Sequence, residues 1–266
     1  PGTLATEKLF FNLNVRTGRG KCWHASCEFK SNHADRALLR QLRINAANVE
    51  LVSEEEEPEE AVELPDDFRR LLRVRDELDE RALNYVLRRG ITRRQIAEHR
   101  FGASYVGPYA YRIVMPNYIG QELRGIVARD FTGRQIPKYL NSRGEKYLYG
   151  FRPDRKRVVL TEGIFKKLRL DLAIGGAAAL LGHDLTDVQL EQLRESKCQE
   201  VTVFPDPDKV GIQGAIKIAD KLCEEWPTTI IWPVSQPADE MSLPDLKQLR
   251  AQSYTASLRL QLMLAF

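Results

Sequence analysis

Four carboxylates lie just beyond the ends of short apolar runs in the second half of this chain. Glu162 follows Arg157-Val158-Val159-Leu160-Thr161. Asp206 and Asp208 follow Glu200-Val201-Thr202-Val203-Phe204, and Asp239, with Glu240 beside it, follows the run from Thr228 to Val234. Hard oxygen donors with room left for water suit Mg²⁺ or Mn²⁺. One acidic residue after a strand is ordinarily a helix cap; three successive strand ends are harder to explain that way. Earlier in the chain, Arg112, Arg129 and Lys138 each sit beside apolar strand residues. A cation so placed either snorkels at a sheet edge or holds a phosphate in a groove. A third set lies near the start, where Cys22 and Cys27 flank His24 across a turn. Two thiols so spaced hold one side of a tetrahedral zinc. No earlier Cys or His supplies the other pair, and His33 is the nearest further donor. Two ordinary thiols beside a hairpin fit the same residues.

Periodicity supplies the elements that would position these groups. From residue 157, strand and helix patterns alternate. Helices are predicted after Gly163 (Phe165, Leu168, Leu170), over Asp187–Glu195 (Val188, Leu190, Leu193) and after Gly211 (Ile212, Ile216, Ala219, Leu222). Such alternation predicts a parallel sheet with helices on its faces, and ligands gather beyond the carboxyl ends of such strands. Residues 101–150 read as β-rich, with strands at Tyr111–Pro116 and Leu123–Asp130. Three helices are expected before them. Asp66 or Asp67 caps one carrying Phe68, Leu71 and Leu72; Asp79 caps one with Ala82, Tyr85 and Val86 inward, ending at Gly90; Thr92 caps one running to about His99. Arg69, Arg70, Arg73, Arg88, Arg89, Arg93 and Arg94 decorate these helices, most of them as a solvated face.

The 266 residues suit one large domain or two modest ones, and 43% hydrophobic composition is enough to build a core, which excludes a fully disordered chain. No apolar run approaches the ~18 residues of a membrane span. The start, Pro1-Gly2-Thr3-Leu4, has no signal-peptide pattern and, without an initiator Met, reads as a processed or excised fragment. Four cysteines in a chain this long favour a reducing compartment over a disulfide framework. The formal net charge of +3 conceals a cancellation: residues 54–67 carry nine acidic residues and no basic one, leaving 40 basic against 28 acidic residues elsewhere, a balance of +12. A self-repelling block with Pro and no aromatic residue reads as a linker. The positive remainder points to anionic partners, nucleic acid or nucleotides.

Several of these segments together resemble a known family. Val158–Gly163, Asp206–Gly211 and Asp239-Glu240 look like a Toprim domain, the catalytic fold shared by primases, topoisomerases and some nucleases. Tyr111–Pro116, Val127–Arg129 and Pro137–Asn141 are similar to the basic subdomain that precedes Toprim in bacterial and phage DNA primases. Asn84–Ile91 is similar to its helical entry, and Cys22–Cys27 to half of the N-terminal zinc ribbon of these enzymes. The resemblance spans nearly the whole chain, with the motifs in order. It implies an α/β fold in which a Toprim sheet flanked by helices (157–246) follows a smaller mixed α+β basic subdomain (68–156). Ahead of these come a partial zinc ribbon (1–53) and the acidic linker (54–67); a C-terminal segment (247–266) ends the chain.

The same resemblance implies a DNA primase, a nucleotidyltransferase that makes short RNA primers on single-stranded DNA. Glu162, Asp206 and Asp208 would then be catalytic and, with Asp239, would hold Mg²⁺ or Mn²⁺. Arg112, Arg129, Lys138 and Lys166 would bind nucleic acid or nucleotide, and Cys22 and Cys27 would form an incomplete Zn²⁺ site. The implied partners are single-stranded template, ribonucleoside triphosphates and a replicative helicase, on a separate chain or in a missing portion, in the cytoplasm of a bacterial or infected cell. The chain departs from the family pattern in three places. The first two ribbon ligands are absent. Gln236-Pro237 replaces a Lys-Asp pair. Lys166 stands where the pattern has Asp, four residues after the glutamate. A lysine there pairs with the carboxylates, replaces the charge of one metal, or marks lost activity. A degenerate Toprim binding module and a Toprim nuclease are the alternatives; a topoisomerase needs a far longer chain.

Overall fold

The structure, a computed structural model, describes residues 11–14, 19–22, 30–31, 61–231, 236–250 and 254–255. The chain divides into two compact units, Pro1–Glu60 and Ala61–Phe266. In the first, β1 (Phe11–Asn14), β2 (Arg19–Cys22) and β3 (Lys30–Ser31) pair antiparallel in that order. Cys22 ends β2; His24, Cys27 and His33 lie outside the described residues.

The second unit begins with an antiparallel five-stranded sheet in chain order. Its strands are β4 (Arg69–Arg70), β5 (Gly102–Ser104), β6 (Arg112–Ile119), β7 (Glu122–Asp130) and β8 (Tyr139–Asn141). Alternation divides its faces. Ile113, Met115 and Val127 join Ala82, Leu83 and Val86 of helix α1 (Glu77–Arg88) and Ile96 of α2 (Arg93–Glu98) in one core. Val114, Ile126 and Ala128 face the other way and are covered by Val62 and Leu64, from the end of the acidic block.

The first of the expected helices does not form. Arg69 and Arg70 pair with Ala103 and Gly102 as an edge strand. A Cβ at Gly102 would lie 2.2 Å from the Phe68 ring, so the missing side chain is what lets Phe68 lie across β5. Asp67 caps no helix; it accepts from Ser104 Oγ (2.6 Å) and from the Tyr105 and Val106 amides (2.6 and 3.1 Å). The cap of α1 is Asp76, which accepts from the Asp79 amide, while Asp79 is buried and accepts from the Tyr105 hydroxyl at 2.7 Å. Thr92 does cap α2, in a reciprocal box with Gln95.

From residue 157 the alternation is as expected. Strands β9 (Arg157–Thr161), β10 (Ala177–Ala179), β11 (Glu200–Phe204) and β12 (Thr228–Ile230) are parallel, and β13 (Tyr254–Thr255) is antiparallel to β12, in the order β10-β9-β11-β12-β13. Helices α3 (Ile164–Ala173), α4 (Asp187–Arg194), α5 (Lys209–Leu222) and α6 (Leu243–Arg250) connect or follow them. Val158, Leu160, Val201 and Val203 pack on α4 and α5; Val159 and Phe204 pack on the opposite face with Leu170 and Leu246 of α3 and α6. The chain leaves β9 for β10 on one side and returns to β11 on the other. The gap between β9 and β11 is therefore the sheet's switch point, where ligands of such folds bind. Among the described residues no helix is long and apolar enough to cross a membrane.

The α1–α2 layer meets this second sheet through α3. Phe165 and Leu168 enter the core of the first sheet. Lys167, 2% exposed, reaches Asp171 at 2.5 Å and His99 Nε2 at 3.3 Å. Burial, then the Lys167 charge, pushes the His99 imidazole down to about 3. The folded value lies below the unfolded one, so as pH falls the unfolded chain takes up the proton first. Stability is full above about pH 6.5 and declines from there toward pH 3. Denaturation midpoints of the chain and of His99→Gln at pH 7 and 5 check this: the difference between the two pH profiles should be about 2 kcal/mol.

Candidate active site

Glu162 is the first residue after β9, and Asp206 lies two residues after β11, so the two carboxylates flank the switch point. Alternate placement follows from local sequence. Gly163 is the N-cap of α3, so the helix begins two residues after Glu162. Gly211, in the first turn of α5, admits Asp206 close by: a Cβ there would lie 2.7 Å from the Asp206 Cβ and 2.8 Å from its carbonyl oxygen. Gly211→Ala should therefore push Asp206 out of place.

A cavity of about 440 Å³ opens over this point. Glu162, Lys166 and Asp206 line it from the parallel sheet, Arg129, Lys138 and Tyr139 from the antiparallel one, and Arg89 from the end of α1. Asp239 and Glu240 complete the acidic side and His183 closes the end of β10. Four carboxylates and four cationic side chains thus line one space, the composition that binding a polyanion together with cations requires.

Glu162, Asp206 and Asp239 each have a side-chain partner. Glu162 Oε2 accepts from His183 Nδ1 at 3.1 Å, since a carboxylate has no proton to give. That hydrogen bond raises the His183 pKa against the opposing effect of burial. Lys166 Nζ bonds both oxygens of Asp206 and stands 4.0 Å from Glu162 Oε2. Burial, with Glu162 as a negative neighbour, raises the Asp206 carboxyl, and Lys166 opposes the rise. Asp239 pairs with Arg89 at 2.9 Å. Asp208 stands apart from the cavity lining and caps α5, accepting from the Gly211 amide at 2.7 Å.

The cationic side is held from behind. Arg129, 4% exposed, donates to the hydroxyls of Tyr85 (2.5 Å) and Tyr139, and its guanidinium lies 4.9 Å from the Phe165 ring centre. Burial lowers its pKa. Lys138 is lowered by Arg129 first and by burial second. Arg112, expected beside them as a phosphate ligand, is 3% exposed and donates to the carbonyls of Pro137 (2.7 Å) and Lys138 (3.1 Å). It fixes the backbone that carries Lys138 and does not line the cavity.

Glu162 and Asp206 already share a cation, the Lys166 ammonium, so in charge and donor type the pair fits a hard metal ion. Among the described residues no three His, Cys, Asp or Glu side chains stand grouped to hold one. His183 was not singled out from sequence, and Arg89 was one of seven helix arginines read mostly as a solvated face. The signal for His183 was the small-residue run Gly175–Leu181: with that run taken as a strand, Gly182-His183 lies at the same carboxyl edge as Glu162.

No protein-family model matches the chain, and no curated protein matches it. Solved structures do. A DnaG primase catalytic domain bound to single-stranded DNA superposes with a TM-score of 0.60 at 18% identity, over 74% of this chain and 78% of that one. A DNA primase domain from Pseudomonas aeruginosa gives 0.63 at 17%, over 74% and 80%. The zinc-binding and RNA polymerase domains of the Aquifex aeolicus primase give 0.57 at 20%, over 70% and 57%. The chain therefore has the mixed α/β fold of primase catalytic cores, a helix-flanked parallel sheet preceded by an antiparallel one.

Proposed function

We propose that this chain is a DNA primase, joining ribonucleotides into short RNA primers on single-stranded DNA. One observation carries the reading: Glu162 and Asp206, at the switch point of one sheet, share a cavity with Arg129 and Lys138 of the other. Nucleotidyl transfer needs phosphates held in place and negative charge neutralised as it develops. Glu162, Asp206 and Asp239 of the cavity lining, with Asp208 at the start of α5, would hold Mg²⁺ or Mn²⁺, which when bound supplies that neutralisation. Arg129 and Lys138 bind nucleotide or template phosphates, Arg129 rigidly on its two tyrosines and Lys138 from the loop that Arg112 fixes. His183 holds its proton on the Glu162 carboxylate and orients it. Zinc at Cys22 and Cys27, a Toprim assignment for the parallel sheet, a replicative helicase as partner and a cytoplasmic setting belong to the same reading.

A DNA-binding module without synthesis is the second reading, and the Lys166–Asp206 contact favours it. Incubation with single-stranded DNA, ribonucleoside triphosphates and Mg²⁺ or Mn²⁺ separates the two. Short RNA complementary to the template supports the first; DNA binding without RNA under either metal supports the second. Binding itself has a measurable signature. Lys138→Gln should flatten the slope of log K against log salt by about 0.7, the share of one single-strand phosphate contact. An unchanged slope removes Lys138 from the interface.

A further inference from the structure

We propose that Lys166 is a tethered competitor for the divalent cation, holding with its own ammonium the place between Glu162 and Asp206 and so weakening metal binding by this chain. The proposal rests on the primase reading for the identity of the ion, but its geometry stands alone. Lys166 lies one helical turn after Glu162 at the start of α3, and its Nζ meets both oxygens of Asp206 with Glu162 Oε2 4.0 Å away. All three side chains are mostly buried, at 16, 15 and 19% exposure. The contact is thus shielded from the solvent that weakens surface ion pairs.

Two properties make a lysine an effective competitor. It is covalently attached, so its effective concentration at the carboxylates is fixed and dilution does not remove it. It also directs its N–H donors at both Asp206 oxygens, which an incoming ion needs. A metal ion binding Asp206 must displace those bonds and then tolerate a positive charge beside it, which at an effective dielectric of about 20 is a substantial repulsion. The cavity suggests where the displaced ammonium goes. Arg129, Lys138 and Lys166 line the same cavity, so a phosphate chain held by the first two would offer Lys166 another anion. Metal and nucleotide would then bind in concert, each easing the entry of the other.

Titration of the purified chain with Mn²⁺ alone, followed by electron paramagnetic resonance of the free ion, tests the proposal without nucleotide, DNA or catalysis. Lys166→Gln should bind Mn²⁺ at least about tenfold more tightly than the unaltered chain. Lys166→Arg, which keeps the charge, should stay weak, and Lys166→Gln combined with Asp206→Asn should lose the gain. Thermal melts establish that each variant is folded. Equal Mn²⁺ affinity in the unaltered chain and in folded Lys166→Gln overturns the proposal, as does weaker binding by that variant. The outcome is separable from the primase reading: a chain that makes primers while Lys166→Gln leaves Mn²⁺ affinity unchanged refutes the competitor alone. A chain whose affinity rises as expected but makes no primers refutes the primase reading alone.

Discussion

Glu162→Gln and Asp206→Asn should each lower primer synthesis by at least about a hundredfold, the equivalent of roughly 3 kcal/mol of transition-state stabilisation. Both replacements keep the shape of the side chain and remove its charge. Glu162 loses its hold on His183 and half of the anionic pair at the switch point; Asp206 loses the charge that Lys166 now occupies. On the proposed reading the two would act on one cation, so the double variant should be scarcely worse than either single one. The fold should survive. Burial already raises the Asp206 carboxyl, so neutralising it relieves an unfavourable desolvation even as it frees Lys166. Initial rates with melting curves on the same preparations check this. Full activity in Glu162→Gln would remove that residue from the chemistry.

Asp171→Ala should be the most destabilising single change outside the site, at about 3–5 kcal/mol. Lys167 is 2% exposed and its ammonium is 2.5 Å from Asp171; His99, its other neighbour, is neutral at any ordinary pH. Removing Asp171 leaves a buried charge with no anion beside it. It also takes away the acceptor for the Ala177 amide at the start of β10. In a unit of this size the melting temperature should fall by roughly 6–20 °C. Lys167→Met is the instructive partner. It removes both the charge and the need for its partner, and should be close to neutral or stabilising. Gly150→Ala should be costly through the same residue, since its φ is +61° and an added Cβ would lie 2.6 Å from Lys167 Nζ. Calorimetry of the three variants checks this; a loss below about 1 kcal/mol in Asp171→Ala would mean that Lys167 does not depend on it.

The second sheet was legible in the sequence because its strands are continuous apolar runs ended by carboxylates. Arg157–Thr161 and Glu200–Phe204 fall where expected, and Glu162 and Asp206 meet because adjacent parallel strands bring their carboxyl ends to one edge. What was not legible depended on partners distant in the chain. Phe68, Leu71 and Leu72 have helical spacing, but Gly102 opens a place for the Phe68 ring and the strand pairing follows. Ala177–Ala179 has no strand preference of its own; its backbone is claimed by Val159–Thr161. Arg112 and Lys138 read alike as basic residues beside strands. Only the sheet, in which β7 joins β6 to β8, brings Arg112 over the segment before β8, where it turns inward onto carbonyls while Lys138 stays exposed. Lys166 was visible as a departure from the resembled pattern, whereas its bond to Asp206 needed the β9–β11 geometry.

Template-directed RNA synthesis by the purified chain is the most direct test of the account. With a single-stranded DNA of defined sequence, labelled ribonucleoside triphosphates and Mn²⁺ or Mg²⁺, the account predicts short RNA complementary to that template, formed by the unaltered chain and absent with Glu162→Gln. No RNA from folded, DNA-binding protein under either metal, or RNA that Glu162→Gln makes equally well, would contradict it.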